Sequence, residues 1–318
     1  MAHNNTSNHF LINDVYLTDG GLETTLLFHE RLHLPHFAAF HLLTRPEHRN
    51  IIDAYYRQYL ELAKRFGTGF ILESPTWRSN PDWGYKLGYS QIELVKANQI
   101  AIEQMKSLRI EYSDKIGSIL ISGCVGPRHD GYVAALSGNW EDAKIYHSRQ
   151  IKTLRDSGVD LVSGLTMTNV QEALGIVMAA KDLRVPAVVS FTVEVDGLLP
   201  DGKSLFEAVK AIDQASEDYP LYYMINCAHP EHFADCLSEL DELVYRIQGI
   251  RANASCKSHA ELDEATELDM GNKKELAQWY GSLRSRHPHI KIFGGCCGTD
   301  ISHMEEICTT VISDHNSQ

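Results

Sequence analysis

The stretch that decides the fold is TRPEHRNIIDAYYRQYLELAKRFGTGFILE, residues 44–73. Thr44 and Glu47 are three residues apart, which is the spacing of a helical capping box. Apolar side chains then recur every three or four residues until Gly67, as in an amphipathic helix. Residues 69–73 follow as a short apolar run typical of a buried strand. The stretch therefore predicts a helix followed by a strand.

This unit recurs along the whole chain. Strands are predicted over residues 15–18, 69–73, 116–122, 159–163, 185–191, 221–226, 243–250 and 290–293. Further helix starts are indicated by the pairs Ser90 with Glu93, Thr168 with Gln171 and Ser204 with Glu207. Eight strands that alternate with helices predict a closed parallel (β/α)8 TIM barrel in a single domain. An open doubly wound sheet is the alternative, but no Gly-x-Gly-x-x-Gly turn follows the first strand. We expect residues 1–13 to form a flexible N-terminal tail and residues 14–318 to form the barrel.

The net charge excludes some partners. Lys and Arg total 29 against 42 Asp and Glu, which gives a net charge of -13. That charge repels phosphate backbones and anionic lipid, so neither nucleic acid nor a membrane is expected as a partner. No apolar run approaches the roughly 20 residues that span a bilayer, and the polar start lacks a signal-peptide pattern. We expect a cytoplasmic protein that acts on small molecules, and the sequence indicates no oligomeric state.

Seven cysteines form an odd set in a long chain, so reduced thiols or metal ligands are favoured over a disulfide framework. Cys236 and Cys308 lie in helical patterns, where an inert buried thiol is expected, and Cys256 lies in an acidic stretch without an obvious partner. The remaining cysteines, Cys124, Cys227, Cys296 and Cys297, are candidates for chemistry.

Two of these candidates are adjacent in Gly-Gly-Cys-Cys-Gly-Thr, residues 294–299, after the eighth predicted strand. Neighbouring side chains of a regular strand point to opposite faces, so both sulfur atoms can reach one metal only where glycines let the backbone leave strand geometry. Cys227 follows Asn226 at the end of the sixth strand and is the expected third thiolate. Three protein ligands and one open position are typical of catalytic Zn²⁺.

Other interpretations of these residues stay open. Residues 294–299 could form a phosphate-binding nest, although two thiolates would oppose the charge of phosphate. A single cysteine nucleophile with a histidine base would not need an adjacent pair. His129, His229 or Cys124 could compete for the third metal position, but loop histidines are usually solvated, and Cys124 is more simply a small residue beside Gly126.

Asp19, Gly20 and Gly21 follow the first predicted strand. A carboxylate beside exposed backbone N–H groups could hold the ammonium and carboxylate of an amino acid, although aspartate more often serves the turn itself. Because barrel active sites lie where strands end, Thr76 is expected at the same rim.

Five motifs together resemble the homocysteine S-methyltransferase family. They are residues 19–24, 125–127, 190–197, 226–227 and 294–299, and the resemblance runs from about residue 14 to 311. It implies a zinc-dependent barrel that methylates homocysteine to methionine, with S-methylmethionine or betaine as donor, or a folate in multidomain relatives. By this resemblance Cys227, Cys296 and Cys297 bind the zinc through which they act in catalysis, and Asp19 holds the homocysteine amine with Gly20 and Gly21 in the same corner.

The sequence departs from that family at Leu165, where a glutamate usually follows the fourth strand and contacts the amine. Glu73 or Glu194 could replace it; otherwise the acceptor is a different thiol or selenol, or the protein binds thiols without catalysis. Trp77 and Tyr85 are candidate aromatic walls for a cationic donor. The acidic stretch 253–270 exceeds the usual length of a loop and is either a lid or a solvated excursion. The substrate-binding residues expected from the sequence are Asp19, Gly20, Gly21, Thr76 and Asn226.

Overall fold

The strands close into one parallel barrel. A computed structural model describes residues 11–133 and 138–313. The strands are β1 (Tyr16–Leu17), β2 (Gly69–Glu73), β3 (Ile119–Val125), β4 (Leu161–Met167), β5 (Ala187–Phe191), β6 (Tyr223–Asn226), β7 (Ile247–Ala252) and β8 (Ile292–Gly295). Each strand pairs in parallel with its neighbours in the chain, and β8 closes the ring on β1. The predicted single-domain (β/α)8 barrel is confirmed.

Helices follow seven of the eight strands. They are α1 (Pro46–Phe66), α2 (Gln91–Tyr112), α3 (Trp140–Asp156), α4 (Val170–Leu183), α5 (Leu205–Ser216), α6 (Lys273–Arg286) and α7 (Ile301–Ser313). The connection from β6 to β7 instead uses a short helix, Pro230–Phe233, and a 3₁₀ segment, Cys236–Arg246. No helix in residues 11–133 and 138–313 is long and apolar enough to cross a membrane.

Four strands, β3, β4, β7 and β8, end further along the chain than predicted. β3 continues to Val125 and β4 to Met167, so Cys124 and Leu165 lie within strands rather than after them. The fourth strand was predicted to end at residue 163, but the next residue, Gly164, pairs with Val189 in the ladder. The predicted start of β7 was also wrong, since residues 243–246 belong to the 3₁₀ segment. A short apolar run does not by itself distinguish a strand from a buried helical turn.

Helix capping was predicted with mixed success. Ser90 with Glu93 and Ser204 with Glu207 both form the predicted capping boxes. The start at Thr44 was wrong, because α1 begins after Arg45 and the Thr44 hydroxyl donates to the His41 carbonyl. The start at Thr168 was one residue early, because the Asn169 side chain accepts the hydrogen bond from Glu172 N.

The interior of the barrel is filled by its own apolar cluster, which includes Tyr16, Ile71 and Met224. Leu11 is 5% exposed and belongs to this cluster, and Ile12 N donates to the Tyr16 hydroxyl at 3.2 Å. The chain therefore packs into the barrel three residues before the expected boundary at residue 14. The first ten residues of the expected tail lie outside the described residues.

Close packing of α3 against α4 depends on Gly175. A Cβ added there would lie 2.5 Å from Ala143 Cβ and 2.8 Å from the Trp140 carbonyl oxygen. Gly175→Ala should therefore lower the free energy of unfolding by about 1–3 kcal/mol, although alanine is the better helix former by about 1 kcal/mol. Urea unfolding measures the change. Adding Ala143→Gly should recover part of the loss, and a stabilised single variant would contradict the packing argument.

Candidate metal centre and substrate cavity

A cavity of about 520 Å³ opens beside the ends of the strands and contains most of the residues predicted for the site. Asp19, Gly20, Gly21, Asn226, Cys227, Cys296 and Cys297 all line it. Thr76 does not. It is fully buried, and its hydroxyl donates to the Cys124 carbonyl at 2.6 Å, so it supports the wall and makes no contact with the open space.

The three predicted thiolates lie together. The Sγ atoms of Cys227, Cys296 and Cys297 all lie within 4.8 Å of one another, and they form the one group of potential metal ligands found in residues 11–133 and 138–313. Neither the competing candidates His129 and His229 nor Cys124 belongs to it. His229 instead caps the helix that begins at Pro230, and burial lowers the pKa of His229 to about 4.

Backbone contacts bring the cysteine pair into this group. β8 ends at Gly295, the Cys296 N–H donates to the Ala252 carbonyl at 2.8 Å, and Gly298 adopts a left-handed conformation with φ of 79°. The Thr299 N–H and hydroxyl both donate to the Cys296 carbonyl, at 3.1 and 2.7 Å. The chain therefore turns immediately after the strand, and both sulfur atoms face the same space.

Cys227 adopts a conformation that is uncommon for a residue with a side chain. Its φ is 56°, in the left-handed region. Its carbonyl oxygen accepts hydrogen bonds from His259 Nε2 at 2.7 Å, Asn253 Nδ2 at 3.0 Å and the Thr192 hydroxyl at 3.3 Å. Strained backbone of this kind persists where surrounding contacts determine it, and it is concentrated at functional sites.

Two of the three cysteines differ from the expectation of reduced thiols. Cys227 and Cys296 are joined by a disulfide in this structure, with Cα atoms 5.4 Å apart, and Cys297 is free. The sequence could not predict this pairing, because it depends on β6 and β8 ending at the same corner. The same proximity that permits a disulfide also allows a shared metal when the thiols are reduced.

Polar groups surround the sulfur atoms. The Tyr132 hydroxyl lies 3.5 Å from Cys297 Sγ, and burial keeps the pKa of Tyr132 well above its ordinary value, so this hydroxyl remains a donor. The Tyr132 ring stacks on His259 with ring centroids 4.1 Å apart. Asn226 Nδ2 lies 3.9 Å from Cys296 Sγ, and its Oδ1 accepts from Thr166 N at 2.9 Å. Hydrogen bonds of this kind orient sulfur ligands and tune their charge.

Asp19 is already paired. Its Oδ1 accepts from Arg251 Nη2 at 2.8 Å and its Oδ2 from the Tyr55 hydroxyl at 3.0 Å, and Asp19 is only 2% exposed. Burial opposes the charge of Arg251, but Asp19 and Glu73 outweigh it and raise the pKa of the guanidinium above its ordinary value. The role of Asp19 in holding a substrate amine stays a prediction. The Asp19 carboxylate lines the cavity, and the Arg251 guanidinium already balances its charge.

The two glycines after Asp19 allow close approach of the backbone. A Cβ at Gly20 would lie 2.6 Å from the Tyr59 hydroxyl, and one at Gly21 would lie 2.5 Å from the Cys296 carbonyl oxygen. The Gly21 N–H donates to the Thr299 carbonyl at 3.0 Å. The first loop is thereby seated directly against the cysteine turn.

The apolar side of the cavity contains Leu165 and Trp77. Leu165 is 6% exposed, and the Trp77 indole N–H donates to its carbonyl at 3.2 Å. The expectation for Tyr85 was wrong: this side chain is 83% exposed and does not line the cavity, because its helix, Pro81–Lys86, turns it outward. Of the two glutamates considered as replacements at Leu165, Glu73 lines the cavity, whereas Glu194 accepts from His259 Nδ1 at 3.0 Å outside it.

The acidic stretch 253–270 forms part of the cavity wall. It contains a short helix, His259–Asp263, and contributes Ser255, Leu262 and Asp269 to the lining. The interpretation as a purely solvated excursion is therefore wrong. Arg251, Tyr132, His259, Glu23 and Arg78 are the site residues that sequence reasoning missed. Only Glu23 carried a signal, since it lies inside the motif 19–24.

Glu73 should make stability depend on pH. It is 5% exposed, and burial raises the pKa of Glu73 to about 7 although Arg251 acts in the opposite direction. In the unfolded chain its pKa is about 4.3, so between these values the unfolded chain binds fewer protons and stability falls as pH rises. Relative to Glu73→Gln, the wild type should lose up to about 3 kcal/mol between about pH 4 and pH 7.5. Urea titrations of both proteins across this range test the prediction, and a difference independent of pH would contradict it.

Comparison with known proteins agrees with this geometry. The family model for homocysteine S-methyltransferases matches residues 16–311. The chain belongs to the homocysteine S-methyltransferase family. The family resemblance expected from the motifs is therefore confirmed, as is the prediction of a homocysteine S-methyltransferase-like enzyme.

Individual relatives of the family cover nearly the whole chain. Homocysteine S-methyltransferase 1 of Arabidopsis thaliana is 23% identical and covers 92% of this chain and 91% of its own length. Selenocysteine Se-methyltransferase of Brassica oleracea var. italica is 25% identical and covers 93% and 89%. The metallated form of the homocysteine methyltransferase MmuM from Escherichia coli superposes with a TM-score of 0.73, at 21% identity, over 93% of this chain and 96% of its own.

Proposed function

We propose that the protein is a zinc-dependent S-methyltransferase that moves a methyl group from a sulfonium or ammonium donor to the thiol of homocysteine, giving methionine. The observation that carries this proposal is the group of Cys227, Cys296 and Cys297 Sγ atoms, within 4.8 Å of one another, beside a cavity of about 520 Å³. The membership of the chain in the homocysteine S-methyltransferase family supports methionine biosynthesis as the setting.

The donor set fits Zn²⁺. Tetrahedral zinc with thiolate bonds of about 2.3 Å needs sulfur atoms about 3.8 Å apart. All three Sγ atoms lie within 4.8 Å of one another, and the disulfide-bonded pair Cys227 and Cys296 would have to separate to reach that spacing. Three soft thiolates without carboxylates favour zinc over harder cations. Support also comes from the metallated form in which the related MmuM has been solved. Reduction of the Cys227–Cys296 disulfide is required before all three sulfur atoms can bind.

The reaction needs a nucleophilic sulfur, an aligned methyl group and exclusion of water. Zinc, when bound by three cysteines, would supply a fourth position at which a thiol is deprotonated at neutral pH. Tyr132 donates toward Cys297 and limits the excess charge of the sulfur group. Leu165 and Trp77 form an apolar wall, and a desolvated sulfur is a stronger nucleophile toward a cationic donor.

The donor must carry a positive charge that is lost on transfer. The acceptor sulfur forms a bond to the methyl carbon while the donor's carbon–sulfur or carbon–nitrogen bond breaks, and the electron pair stays with the departing thioether or amine. Phe28 and Tyr132 also line the cavity, and their aromatic rings suit S-methylmethionine or betaine because ring faces attract cations.

A second candidate is the same transfer to a different thiol or to a selenol. Two observations favour it: Leu165 contributes no charge to the cavity, and Asp19 is neutralised by Arg251. A relative named selenocysteine Se-methyltransferase supports a selenol as one such acceptor.

The test is a direct assay of the reduced, zinc-loaded protein. L-homocysteine or L-selenocysteine is incubated with S-methylmethionine or betaine, and methylated product is measured by mass spectrometry. We expect about one zinc per chain and turnover of homocysteine with at least one donor. Preference for selenocysteine selects the second candidate. If the zinc-bound protein binds thiols but transfers no methyl group from any donor, the protein is a thiol-binding protein rather than an enzyme of this reaction. If the protein binds no zinc, the proposal is overturned.

We further propose that the enzyme works in the cytoplasm, where a reducing environment keeps the three cysteines free. We also propose that residues 1–13 are an N-terminal tail and residues 14–318 the barrel, with Leu11 of the tail packed into the interior cluster.

A further inference from the structure

Charge is distributed unevenly among the residues of the cavity. At its base, Arg251 forms an ion pair with Asp19 and also lies close enough to Glu73 for their charges to interact. Glu23 and Arg78 line the same cavity. Across residues 11–133 and 138–313, neither of these two side chains takes part in an ion pair. Three other carboxylates of the cavity, Asp130, Asp263 and Glu267, also form no ion pair among the described residues, whereas Arg251 is paired, so Arg78 is the arginine of the cavity without a direct ionic partner.

Arg78 is held in place rather than free to turn away. Its guanidinium lies between two indole rings, 4.1 Å from the centre of Trp77 and 3.9 Å from the centre of Trp83. Its Nη1 donates to the His129 carbonyl at 2.7 Å, and the residue is 7% exposed. Its hydrogen-bond acceptor is neutral, although the charges of Asp130 and Asp263 also act on the guanidinium, and a ligand carboxylate could bind it with paired hydrogen bonds.

Glu23 is the complementary group. It lies in the short helix Leu22–Thr24, directly after Gly21, which is seated against the cysteine turn, and its charge affects Cys297. Burial raises the pKa of Glu23 to about 7, although the charges of Arg251 and Arg78 act in the opposite direction. An ammonium group in the cavity would supply the missing positive charge. Glu73 is a poorer candidate because its Oε1 already accepts a hydrogen bond from the Ser163 hydroxyl at 3.2 Å.

We propose that Glu23 and Arg78 recognise the amino and carboxylate groups of one zwitterionic α-amino acid in this cavity. The proposal rests on the proposed function, which requires a thiol near the cysteines. Two ligands of the proposed reaction carry this zwitterion, the acceptor homocysteine and the donor S-methylmethionine. Glu23 and Arg78 let the protein bind one of these ligands more tightly than analogues that lack the amine or the carboxylate.

The experiment measures binding to reduced, zinc-loaded protein by isothermal titration calorimetry. The acceptor series is L-homocysteine, 4-mercaptobutanoate, which lacks the amine, and 3-mercaptopropylamine, which lacks the carboxylate. The wild type should bind homocysteine about 10- to 100-fold more tightly than either analogue, the range expected for one charge-assisted hydrogen bond. Glu23→Gln should abolish the preference over 4-mercaptobutanoate only, and Arg78→Met the preference over 3-mercaptopropylamine only.

Further variants separate recognition from folding. Glu23→Asp and Arg78→Lys keep the charge and should keep part of the preference. Glu30→Gln and Arg45→Met change exposed side chains outside the cavity and should bind every ligand as the wild type does. All variants are first checked for wild-type zinc content, so that a misfolded protein is not mistaken for a weak binder.

Each result decides the proposal. Selective loss in the acceptor series supports it and assigns the pair to the acceptor. Unchanged binding of homocysteine with weaker binding of S-methylmethionine supports it and assigns the pair to the donor. If the wild type binds zinc and homocysteine but the variants keep every preference, or if Glu73→Gln alone loses the amine preference, this proposal is overturned while the proposed function stands. A wild type that binds neither zinc nor thiol overturns both.

Discussion

Cys227→Ser is expected to reduce zinc affinity by more than about 100-fold and to abolish methyl transfer, because the variant removes one of the three proposed sulfur ligands. The change is small in volume, and Cys227 lies beside hydrogen-bonding groups, since the Thr166 hydroxyl is 3.9 Å from its Sγ. A serine hydroxyl can therefore occupy the space, but it is a much poorer ligand than a thiolate at neutral pH. The effect should appear as metal loss rather than as unfolding.

The measurement is zinc content by atomic emission together with competition against a chelator of known affinity. Cys256→Ser is the matched control, because Cys256 is an exposed free cysteine that does not line the cavity. The control should keep one zinc per chain. Both proteins should unfold cooperatively in urea. Wild-type zinc affinity in Cys227→Ser would remove this residue from the metal site.

Arg251→Met is expected to lower the free energy of unfolding by about 3–5 kcal/mol. The guanidinium is 6% exposed, and it donates to Asp19 Oδ1 at 2.8 Å and to the Gly295 carbonyl at 3.2 Å. Removing it leaves Asp19 as a buried charge without compensation and also disconnects β7 from the loops after β1 and β8. A buried ion pair is costly to break from one side only, whatever its net contribution as a pair.

A double variant separates the effect of the uncompensated Asp19 charge from the effect of the lost contacts of β7. Asp19→Asn with Arg251→Met removes both charges and should recover at least half of the lost stability in urea unfolding. Arg57→Met is the comparison at the surface, where the pair with Glu111 is about 40% exposed on both sides and is expected to contribute less than about 1 kcal/mol. If Arg251→Met also lowers the free energy of unfolding by less than about 1 kcal/mol, the buried pair is not required for stability.

Local patterns in the sequence were sufficient to predict the barrel. Short apolar runs alternating with helical periodicity identified all eight strands, and the exact bounds of β2 were predicted. The sulfur group was also accessible from sequence, since glycines flanking Cys296 and Cys297 imply a turn and Cys227 ends another strand. These predictions succeed because they depend on chain neighbours and on one general rule about where barrel strands end.

The charged part of the site could not be predicted in the same way. Arg251 lies in a strand whose neighbours are apolar, and only the closed barrel shows that its partner is Asp19, on the opposite end of the chain. The role of Arg78 depends on two tryptophans that fold around it, and Tyr85 was misassigned because an aromatic side chain near a rim can face either way. Pairing partners of this kind are set by tertiary contacts, which a single sequence does not contain.

The corner that holds the cysteine turn has a consequence for how the protein folds. The Thr18 N–H donates to the Phe293 carbonyl and the Gly295 N–H to the Asp19 carbonyl, so the first and last strands build it together. Contacts between chain ends have the highest loop-closure cost and form late. During synthesis, seven strands can emerge from the ribosome before β8, which completes this corner. The enzyme thus acquires its chemistry only in the final stage of folding, and a chain that stops before β8 would have most of a barrel but no reactive centre.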